Sequence, residues 1–192
     1  MTQKGLQTER LELVPLAAEH ESNIVALNAD ASVMKYIEGR GHTKEEALAE
    51  HAERLHGGTL VPGLGYWAGF KDGNFIGWWA LSPVVGDSGI PESSKASLGY
   101  RLLPAYWRQG LAKEGSRELL RHGFKDLGME AVYAETMAVN VPSRATMESC
   151  GMRHVRTFYL EFDDPLPGTE HGEVEYRITR SEWEALAGEM KS

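Results

Sequence analysis

A strand followed almost directly by a helix, near the middle of the chain, constrains the fold most. The pattern over Ala96–Leu103 predicts the strand, and Pro104 ends it because proline cannot donate a hydrogen bond to a neighbouring strand. Apolar and small residues at helical spacing then predict a helix over Leu111–Leu127, with Gly115 and Gly123 on one face. Because glycines on one face let a helix lie close to a sheet, we expect helices packed on a sheet.

Strands and helices alternate along the rest of the chain, which contains no internal repeat and no low-complexity segment. The clearest hairpin has its turn at Asp72-Gly73, since an Asp-Gly pair suits the two-residue turns that match strand twist. Thr43 with Glu46 and Ser181 with Glu184 are capping-box patterns, which predict the starts of two helices. The order of elements predicts an α/β or α+β fold with one mixed sheet. The other predicted elements are a strand around Leu11 and Leu13, helices over Glu19–Ala29 and Pro142–Cys150, a loop over Pro83–Ser94, and strands over Ala131–Met137, His154–Phe162 and Gly172–Thr179.

Length and composition indicate a single domain over residues 1–192. The chain is 42% apolar and 25% charged, which suffices to bury a core without disulfides. A formal net charge of −8 argues against a nucleic-acid partner. No stretch approaches the roughly 18 apolar residues of a membrane-spanning helix, and the N-terminal residues lack the apolar core of a signal peptide. We therefore expect a cytoplasmic protein with no membrane partner.

The cysteine and histidine pattern gives no sign of a metal site. Cys150 is the single cysteine, which excludes a disulfide framework and a zinc site built on thiolate pairs. It is predicted to lie at the C-terminal end of a helix, where the helix dipole opposes thiolate formation, so we expect a core residue rather than a nucleophile. The seven histidines show no H-E-x-x-H pattern, and His171 beside an acidic stretch is the one worth testing for a role.

The residues around the start of the predicted helix at Leu111 favour an anion site. The first backbone N–H groups of a helix have no partner within the helix, and the helix dipole adds positive potential there. Gly110 lets the backbone approach a ligand closely, and Ala112 is small enough to avoid a clash. Arg108 and Lys113 add positive charge on either side. An ordinary strand-to-helix turn with a glycine is the alternative.

The segment Trp107–Ala112 resembles the acyl-CoA pyrophosphate loop of the GNAT N-acetyltransferase superfamily, whose pattern is Q/R-x-x-G-x-G/A. The lead-in LGYRLLPAYW is similar to the RimJ/RimL branch, although Arg108 stands where that branch usually has glycine. A second segment, Asn140–Ser143 followed by Gly151-Met152, resembles the N-x-x-S…G-F motif of the family. With TERLELVPL near the start and EYRITRSEW near the end, the resemblance covers about residues 8–187.

The resemblance implies a GNAT fold: a mixed central sheet of about seven strands, split between strands 4 and 5 and flanked by helices. It also implies acetyl-CoA as co-substrate, no metal, and transfer of the acetyl group directly to a primary amine in a ternary complex. In the family, the backbone of one strand binds the pantetheine arm and the helix amides bind the pyrophosphate. By that resemblance, the cofactor-binding residues are Tyr100, Leu102 (nearest the thioester), Leu103, Arg108, Gln109, Gly110, Leu111, Ala112, Lys113, Asn140 and Ser143.

The attacking amine must lose a proton, and the departing thiolate can gain one. Many members of the family use a tyrosine as the proton donor, but the corresponding residue here is Met147, which cannot donate. In the RimL branch the serine of N-x-x-S takes this role, which implies Ser143 as a catalytic residue. The alternative for Ser143 is a capping bond in the first turn of a short helix.

The general base has three candidates among the acidic residues. The RimL branch has a glutamate about eleven residues after the motif glycine, and Glu161 follows Gly151 by ten residues. Glu135, on a predicted strand, is its rival, and Glu173 and Glu175 on one face of the last strand are the third option. Water chains could also serve.

Six acids and no Lys or Arg lie between Glu161 and Glu175, which favours a cationic amine as the acceptor. A solvated acidic loop is the alternative. A protein N-terminus and a small amine are both open as acceptors, and a homodimer is open as the assembly. The alternative function is a non-catalytic acyl-CoA-binding sensor or scaffold module, which Met147 favours and Ser143 disfavours.

Overall fold

The computed structural model describes residues 3–57, 60–86 and 89–189. Within these residues one mixed sheet contains eight strands in the order β1-β2-β3-β4-β5-β6-β8-β7. The strands are β1 (Leu6–Gln7), β2 (Glu12–Pro15), β3 (Gly65–Lys71), β4 (Asn74–Val85), β5 (Pro91–Leu102), β6 (Ala131–Met137), β7 (Arg153–Phe158) and β8 (Glu173–Thr179). The helices are α1 (Glu21–Ala29), α2 (Lys44–Gly57), α3 (Leu111–Arg121), α4 (Val141–Ser149) and α5 (Arg180–Glu189).

The sheet opens between β5 and β6. These two strands are parallel and pair only where Lys95–Ser97 faces Ala131–Tyr133, whereas the other neighbours are antiparallel. Beyond Ser97, β5 continues to Leu102 beside β4 alone. The predicted split between the fourth and fifth strands is therefore confirmed. It falls between the fifth and sixth strands of this chain because the two-residue β1 precedes the strands that the sequence predicted.

Helices pack on both faces of the sheet. On one face, Trp78 and Ala80 of β4 form a cluster with Ile24 and Leu27 of α1. The other face, together with α3, forms the main core, which includes Trp79. Since side chains alternate along a strand, consecutive residues of β4 and β5 belong to opposite faces.

The close packing predicted for the glycine face of α3 is confirmed. A Cβ atom on Gly115 would lie 2.5 Å from the Trp79 ring, so only glycine lets the helix lie this close. The Trp79 indole N–H donates to the Ala112 carbonyl at 3.1 Å. Together these contacts hold the first turn of α3 against the sheet.

Two local patterns predicted from the sequence are confirmed. Asp72 and Gly73 have φ angles of 50° and 76°, as a primed hairpin turn between β3 and β4 requires. The Glu46 N–H donates to the Thr43 hydroxyl at 3.2 Å, and the Thr43 N–H donates to the Glu46 carboxylate at 2.8 Å. Thr43 and Glu46 thus form the capping box that starts α2.

The prediction of a loop over Pro83–Ser94 is wrong for most of that segment. β4 continues to Val85 and β5 begins at Pro91, with Pro83 opposite Ala96 and Val85 opposite Pro91 across a bulge. Pairing along two long strands outweighs the turn-forming composition of the segment. Only residues 86–90 lie between the strands, and of these 87 and 88 are outside the described residues.

Three further boundaries differ from the predictions. β7 ends at Phe158 rather than Phe162, because its partner β8 begins opposite it at Glu173. The helix predicted to Leu127 is α-helical to Arg121 and continues as a π-helical turn over His122–Asp126. The prediction that Ser181 and Glu184 form a capping box is wrong.

The box that starts α5 lies two residues earlier. The Thr179 N–H donates to Glu182 at 2.8 Å, and the Glu182 N–H donates to the Thr179 hydroxyl at 3.4 Å. No helix in the described part of the chain is long and apolar enough to cross a membrane.

Candidate active site

A cleft of about 720 Å³ lies at the split of the sheet. Its walls are the C-terminal end of β5, the N-terminal ends of α3 and α4, and residues 32–37 after α1. Tyr100 and Arg101 both line it, although they are consecutive on β5 and their side chains belong to opposite faces of the sheet. Residues from both faces of the sheet therefore line the cleft at the split.

The backbone of β5 turns hydrogen-bonding groups toward the split. The Leu103 N–H donates to the Ile76 carbonyl at 2.9 Å, and Gly77 lies opposite Leu102. In an antiparallel ladder this pattern makes Gly77 and Leu102 a non-hydrogen-bonded pair. The N–H and C=O of Leu102 and, two residues earlier, of Tyr100 therefore point away from β4 and toward the split. Leu103, predicted as part of the same binding strand, has its N–H engaged with β4 instead.

The indole of Trp107 holds the loop to the end of β5. Its Nε1–H donates to the Leu102 carbonyl at 2.8 Å, while 43% of the residue's surface stays exposed. Trp107 occupies the first position of the motif, where the family has Gln or Arg. The sequence identified the position but not this contact.

The loop before α3 has two residues in the left-handed region. Arg108 has φ = 58° and Gly110 has φ = 76°. The glycine that the RimJ/RimL branch usually has at the first of these positions would adopt this conformation freely, whereas a residue with a Cβ atom is strained by about 1–2 kcal/mol. The backbone geometry that the motif predicts is present despite Arg108.

The start of α3 offers backbone amides to the cleft. The first helical bond runs from the Glu114 N–H to the Gly110 carbonyl at 3.0 Å, so the amides of Leu111, Ala112 and Lys113 precede it. These three residues, with Arg108 and Gly110, line the cleft. Gln109 was also predicted to bind the cofactor, but its side chain turns back into the loop, since its amide donates to the Ala105 carbonyl at 2.9 Å.

An ion pair that the sequence did not reveal holds this loop in place. Arg10 Nε donates to the Glu114 carboxylate at 2.6 Å, and Arg10 Nη1 donates to the Gln109 carbonyl at 3.0 Å. The Thr8 hydroxyl donates to the same carboxylate at 2.5 Å. Burial acts to raise the pKa of Glu114, but the hydrogen bonds from Thr8 and Arg10 outweigh it and lower that pKa. Glu114 stays ionised and ties the N-terminal segment to α3.

Ser143 lies in the cleft wall at the start of α4. Its N–H donates to the Asn140 side-chain oxygen at 3.4 Å, and the Asn140 amide donates to the Thr136 hydroxyl at 2.9 Å. The capping bond thus uses the backbone of Ser143 and not its hydroxyl. The Ser143 hydroxyl lies 3.1 Å from the Tyr100 hydroxyl, which also donates to the Ser143 carbonyl at 3.1 Å. Burial raises the pKa of Tyr100 to about 12.

The carboxylates proposed as bases separate into two groups. Glu135 of β6 lies opposite Glu175 of β8, and Glu173, two residues earlier in the chain, lies on the same face of β8. Burial, then the charge of Glu175, raises the pKa of Glu135, and burial, then the charge of Glu135, raises that of Glu173. Arg156 pairs with Glu175 at 3.0 Å. Glu161 is exposed on the segment between β7 and β8 and is not on this sheet face.

Two residues excluded as catalytic groups are buried. Met147 is 1% exposed and belongs to the main core, and Cys150 is buried beside the Lys113 carbonyl, 3.8 Å from its Sγ. Burial raises the pKa of the Cys150 thiol. The prediction that Cys150 is a core residue is confirmed. His171 is largely exposed and lies 3.7 Å from Glu170.

Comparison with known proteins gives one family and several similar structures. Residues 10–153 match the family described as acetyltransferase (GNAT) domain. The FsC-acetyl coenzyme A-N(2)-transacetylase of Aspergillus fumigatus is 46% identical over 185 residues, which cover 94% of this chain and 78% of that protein.

Two solved structures share the fold at low sequence identity. Spermidine N-acetyltransferase from Vibrio cholerae, in complex with CoA and spermine, aligns with a TM-score of 0.73 at 18% identity, over 92% of this chain and 99% of that one. RimL, a ribosomal L7/L12 α-N-protein acetyltransferase in complex with coenzyme A, aligns with a TM-score of 0.71 at 16% identity, over 90% and 95%. At these sequence identities, the two structures show only that the fold is shared.

Proposed function

Because this chain belongs to the GNAT acetyltransferase family and is an acetyl-CoA-dependent acyltransferase, we propose that it transfers the acetyl group directly to a primary amine within a ternary complex. The observation that carries the proposal is the cleft at the split of the sheet, which is lined by residues from both faces. A donor bound on the α3 face and an acceptor bound on the opposite face would meet at Leu102. Direct transfer needs such a meeting point and no covalent enzyme intermediate.

The residues around α3 suit the phosphates and the pantetheine arm of acetyl-CoA. The amides of Leu111–Lys113 and the side chains of Arg108 and Lys113 would bind the pyrophosphate at the positive end of the helix. The backbone N–H and C=O of Tyr100, which face the split, would hydrogen-bond the pantetheine amides. Asn140 contributes by ordering the start of α4, since both ends of its side-chain amide already have partners.

The Leu102 N–H is the proposed donor to the oxyanion that forms when the amine attacks the thioester carbonyl. It points into the split, while the Leu102 carbonyl is held by Trp107. One preorganised donor of this kind contributes a factor of about 10²–10³ to the rate.

The Ser143 hydroxyl is the proposed proton donor to the departing thiolate. It lines the cleft and is free of the capping bond, which the Ser143 backbone makes. The Tyr100 hydroxyl beside it stays protonated at neutral pH, because burial raises its pKa to about 12. Because the Tyr100 hydroxyl donates its proton to the Ser143 carbonyl, its oxygen can accept from the serine hydroxyl and orient it.

Glu135 is the proposed general base, in preference to Glu161. A carboxyl with a raised pKa is a stronger base, and Glu135 has one because of burial and the nearby Glu175. Ser97 lies beside Tyr133 across the β5–β6 pair, so alternation places Glu135 on the same sheet face as Arg101. This is the face on which the acceptor would enter, and its acids favour a cationic amine.

A small molecule is the proposed acceptor. The name of the 46%-identical relative places the acetyl group on a nitrogen numbered N(2), whereas an N-terminal acceptor is supported only by the similarity in fold to RimL. We also propose that this chain belongs to the RimJ/RimL branch of the family, because its LGYRLLPAYW segment is similar to that branch.

The test is acetyl-CoA consumption by the purified protein with a library of primary amines, followed as free thiol. The proposed function predicts thiol release that depends on one or more amines and yields an N-acetylated product. Tight acetyl-CoA binding without amine-dependent thiol release across the library would instead support a binding module.

A further inference from the structure

A charged cluster is buried between α1, α2 and β5, and its guanidinium groups outnumber its carboxylates. Glu50 of α2 pairs with Arg54 on its own helix and with Arg101 of β5, the latter at 3.3 Å. Arg54 and Arg101 are only 7% and 8% exposed. The buried Asn28 of α1 links them, since Arg101 donates to its side-chain oxygen at 2.6 Å and its amide donates to Glu50 at 2.5 Å. One carboxylate therefore balances two buried guanidiniums.

The groups around the cluster do not remove this excess. His42 lies 3.7 Å from Glu50 and 3.0 Å from Glu38, and Glu38 has a 44% exposed side chain that water screens. The pKa of Arg54 is lowered to about 10, first by burial and then by the charge of Arg101. Among the described residues, Glu50 is thus the one carboxylate that pairs with either guanidinium.

The cluster is also short of hydrogen-bond acceptors. Among the described residues, Arg54 Nη1, Arg101 Nε and Trp78 Nε1 are buried donors without a hydrogen-bond partner. Leaving such groups unpaired is costly, so each calls for an explanation. The Arg54 guanidinium stacks on the Trp78 ring at 4.4 Å and is not part of the cleft wall. Arg101, by contrast, is one of the residues that line the cleft.

We propose that Arg101 binds a carboxylate of the acceptor, which is therefore an amino acid or a compound with a carboxylate close to its reacting amine. A guanidinium binds a carboxylate with charge-assisted hydrogen bonds, which supply both missing negative charge and missing acceptors. Arg101 directly precedes Leu102, where the proposed transfer takes place, and shares a sheet face with Glu135 across the split. A zwitterionic acceptor matches this arrangement, with its carboxylate on the β5 side and its ammonium on the β6 side. The inference rests on the proposed N-acetyltransferase function.

The test compares three amino acids with their own carboxamides as acceptors. The pairs are lysine with lysinamide, alanine with alaninamide, and phenylalanine with phenylalaninamide. The two members of a pair carry the same amine and differ in the carboxylate. The wild-type protein is expected to have a KM at least about tenfold lower for the acid of one or more pairs. Arg101→Gln should raise the KM for that acid about tenfold to a hundredfold and leave the KM for its amide within about twofold, since a charged hydrogen bond is lost. The exposed Arg153→Gln is the matched control and should change neither value.

Glu50→Gln tests the same assignment, and its expected effect on the KM for the acid is opposite to that of Arg101→Gln. Removing the competing carboxylate should lower the KM for the acid several-fold and leave the amide unchanged, and this variant decides the question if Arg101→Gln does not fold. Equal use of acids and amides by the wild type, equal effects on both in the variants, or failure of all three acids would overturn the assignment of Arg101. Continued acetylation of the amides in those cases would leave the N-acetyltransferase function standing, whereas failure with every amine would overturn both.

Discussion

The hydroxyl groups of Tyr100 and Ser143 lie 3.1 Å apart in the wall of the cleft, although the two residues are 43 positions apart in the chain. Burial raises the pKa of the tyrosine to about 12, so the phenol stays protonated at neutral pH and donates to the Ser143 carbonyl. The serine meets the tyrosine because Asn140 fixes the first turn of α4 through the Ser143 N–H. This pair gives the proposed proton donor a defined orientation.

Ser143→Ala should lower kcat by about 10²–10⁴ with little change in the Kd of acetyl-CoA, because the hydroxyl acts only when the thiolate leaves. Stopped-time thiol assays and calorimetry measure the two quantities. Ser149→Ala is the control, since its hydroxyl bonds the Thr146 carbonyl at the other end of α4. A Ser143→Ala enzyme with near-normal turnover would restrict Ser143 to its capping bond.

Gly110→Val should abolish acetyl-CoA binding and leave the fold largely intact. Gly110 has φ = 76° and a Cβ atom there would meet only the end of the Arg10 side chain, at 3.6 Å. The substitution therefore distorts the backbone of the loop rather than the core, and the α3 amides lose their alignment. Calorimetry with folded protein is the measurement, and Gly57→Ala, at a position with open space, is the control. Unchanged affinity of Gly110→Val for acetyl-CoA would show that the pyrophosphate does not bind at the start of α3.

Two substitutions at Arg108 should separate its charge from its backbone strain. Both Arg108→Ala and Arg108→Gly should weaken acetyl-CoA binding, because each removes a positive charge from the cleft wall. Only Arg108→Gly should raise the free energy of unfolding, because φ = 58° costs every residue with a Cβ atom. The gain should be about 1 kcal/mol, since the greater chain entropy of glycine in the unfolded state offsets part of the relieved strain. Denaturant unfolding and calorimetry measure the pair. The same stability in both variants would mean that the left-handed conformation at this position stores no strain.

The pH dependence of kcat/KM should identify Glu135 as the base. The carboxyl must be deprotonated to accept a proton, and its pKa is raised above 4.5 by burial and by Glu175, so the rate should rise with pH through a window above that value. Glu175→Gln removes a like charge, lowers the pKa of Glu135 and should move this acid limb to lower pH. Glu135→Gln should lower kcat by about 10²–10⁴ and abolish the limb, whereas Glu161→Gln should retain it. Loss of the limb in Glu161→Gln alone would assign the base to Glu161.

Local patterns predicted most of the fold. The Asp72-Gly73 turn and the Thr43–Glu46 capping box depend on residues a few positions apart, and both are present. The prediction failed over Pro83–Ser94, where the pairing of β4 with β5 overrides turn-forming residues. It also failed at Ser181, because Thr179 offers a capping bond two residues earlier.

The candidate site was predictable where it is built from backbone and only partly where it is built from side chains. The left-handed Gly110 and the start of α3 follow from a local motif. The bond of Arg10 to Glu114 joins residues 104 positions apart, and the bond of Arg101 to Asn28 spans 73. Such contacts arise when the sheet brings distant segments together, and no local pattern encodes them.

Two-substrate initial-rate kinetics test the central claim, direct transfer in a ternary complex, most directly. Acetyl-CoA and an accepted amine are both varied while the release of CoA thiol is measured. Direct transfer predicts double-reciprocal lines that intersect, with no acetylated protein detected by mass spectrometry when acetyl-CoA is present alone. Parallel lines together with a stable acetyl-protein would contradict it and require a covalent intermediate.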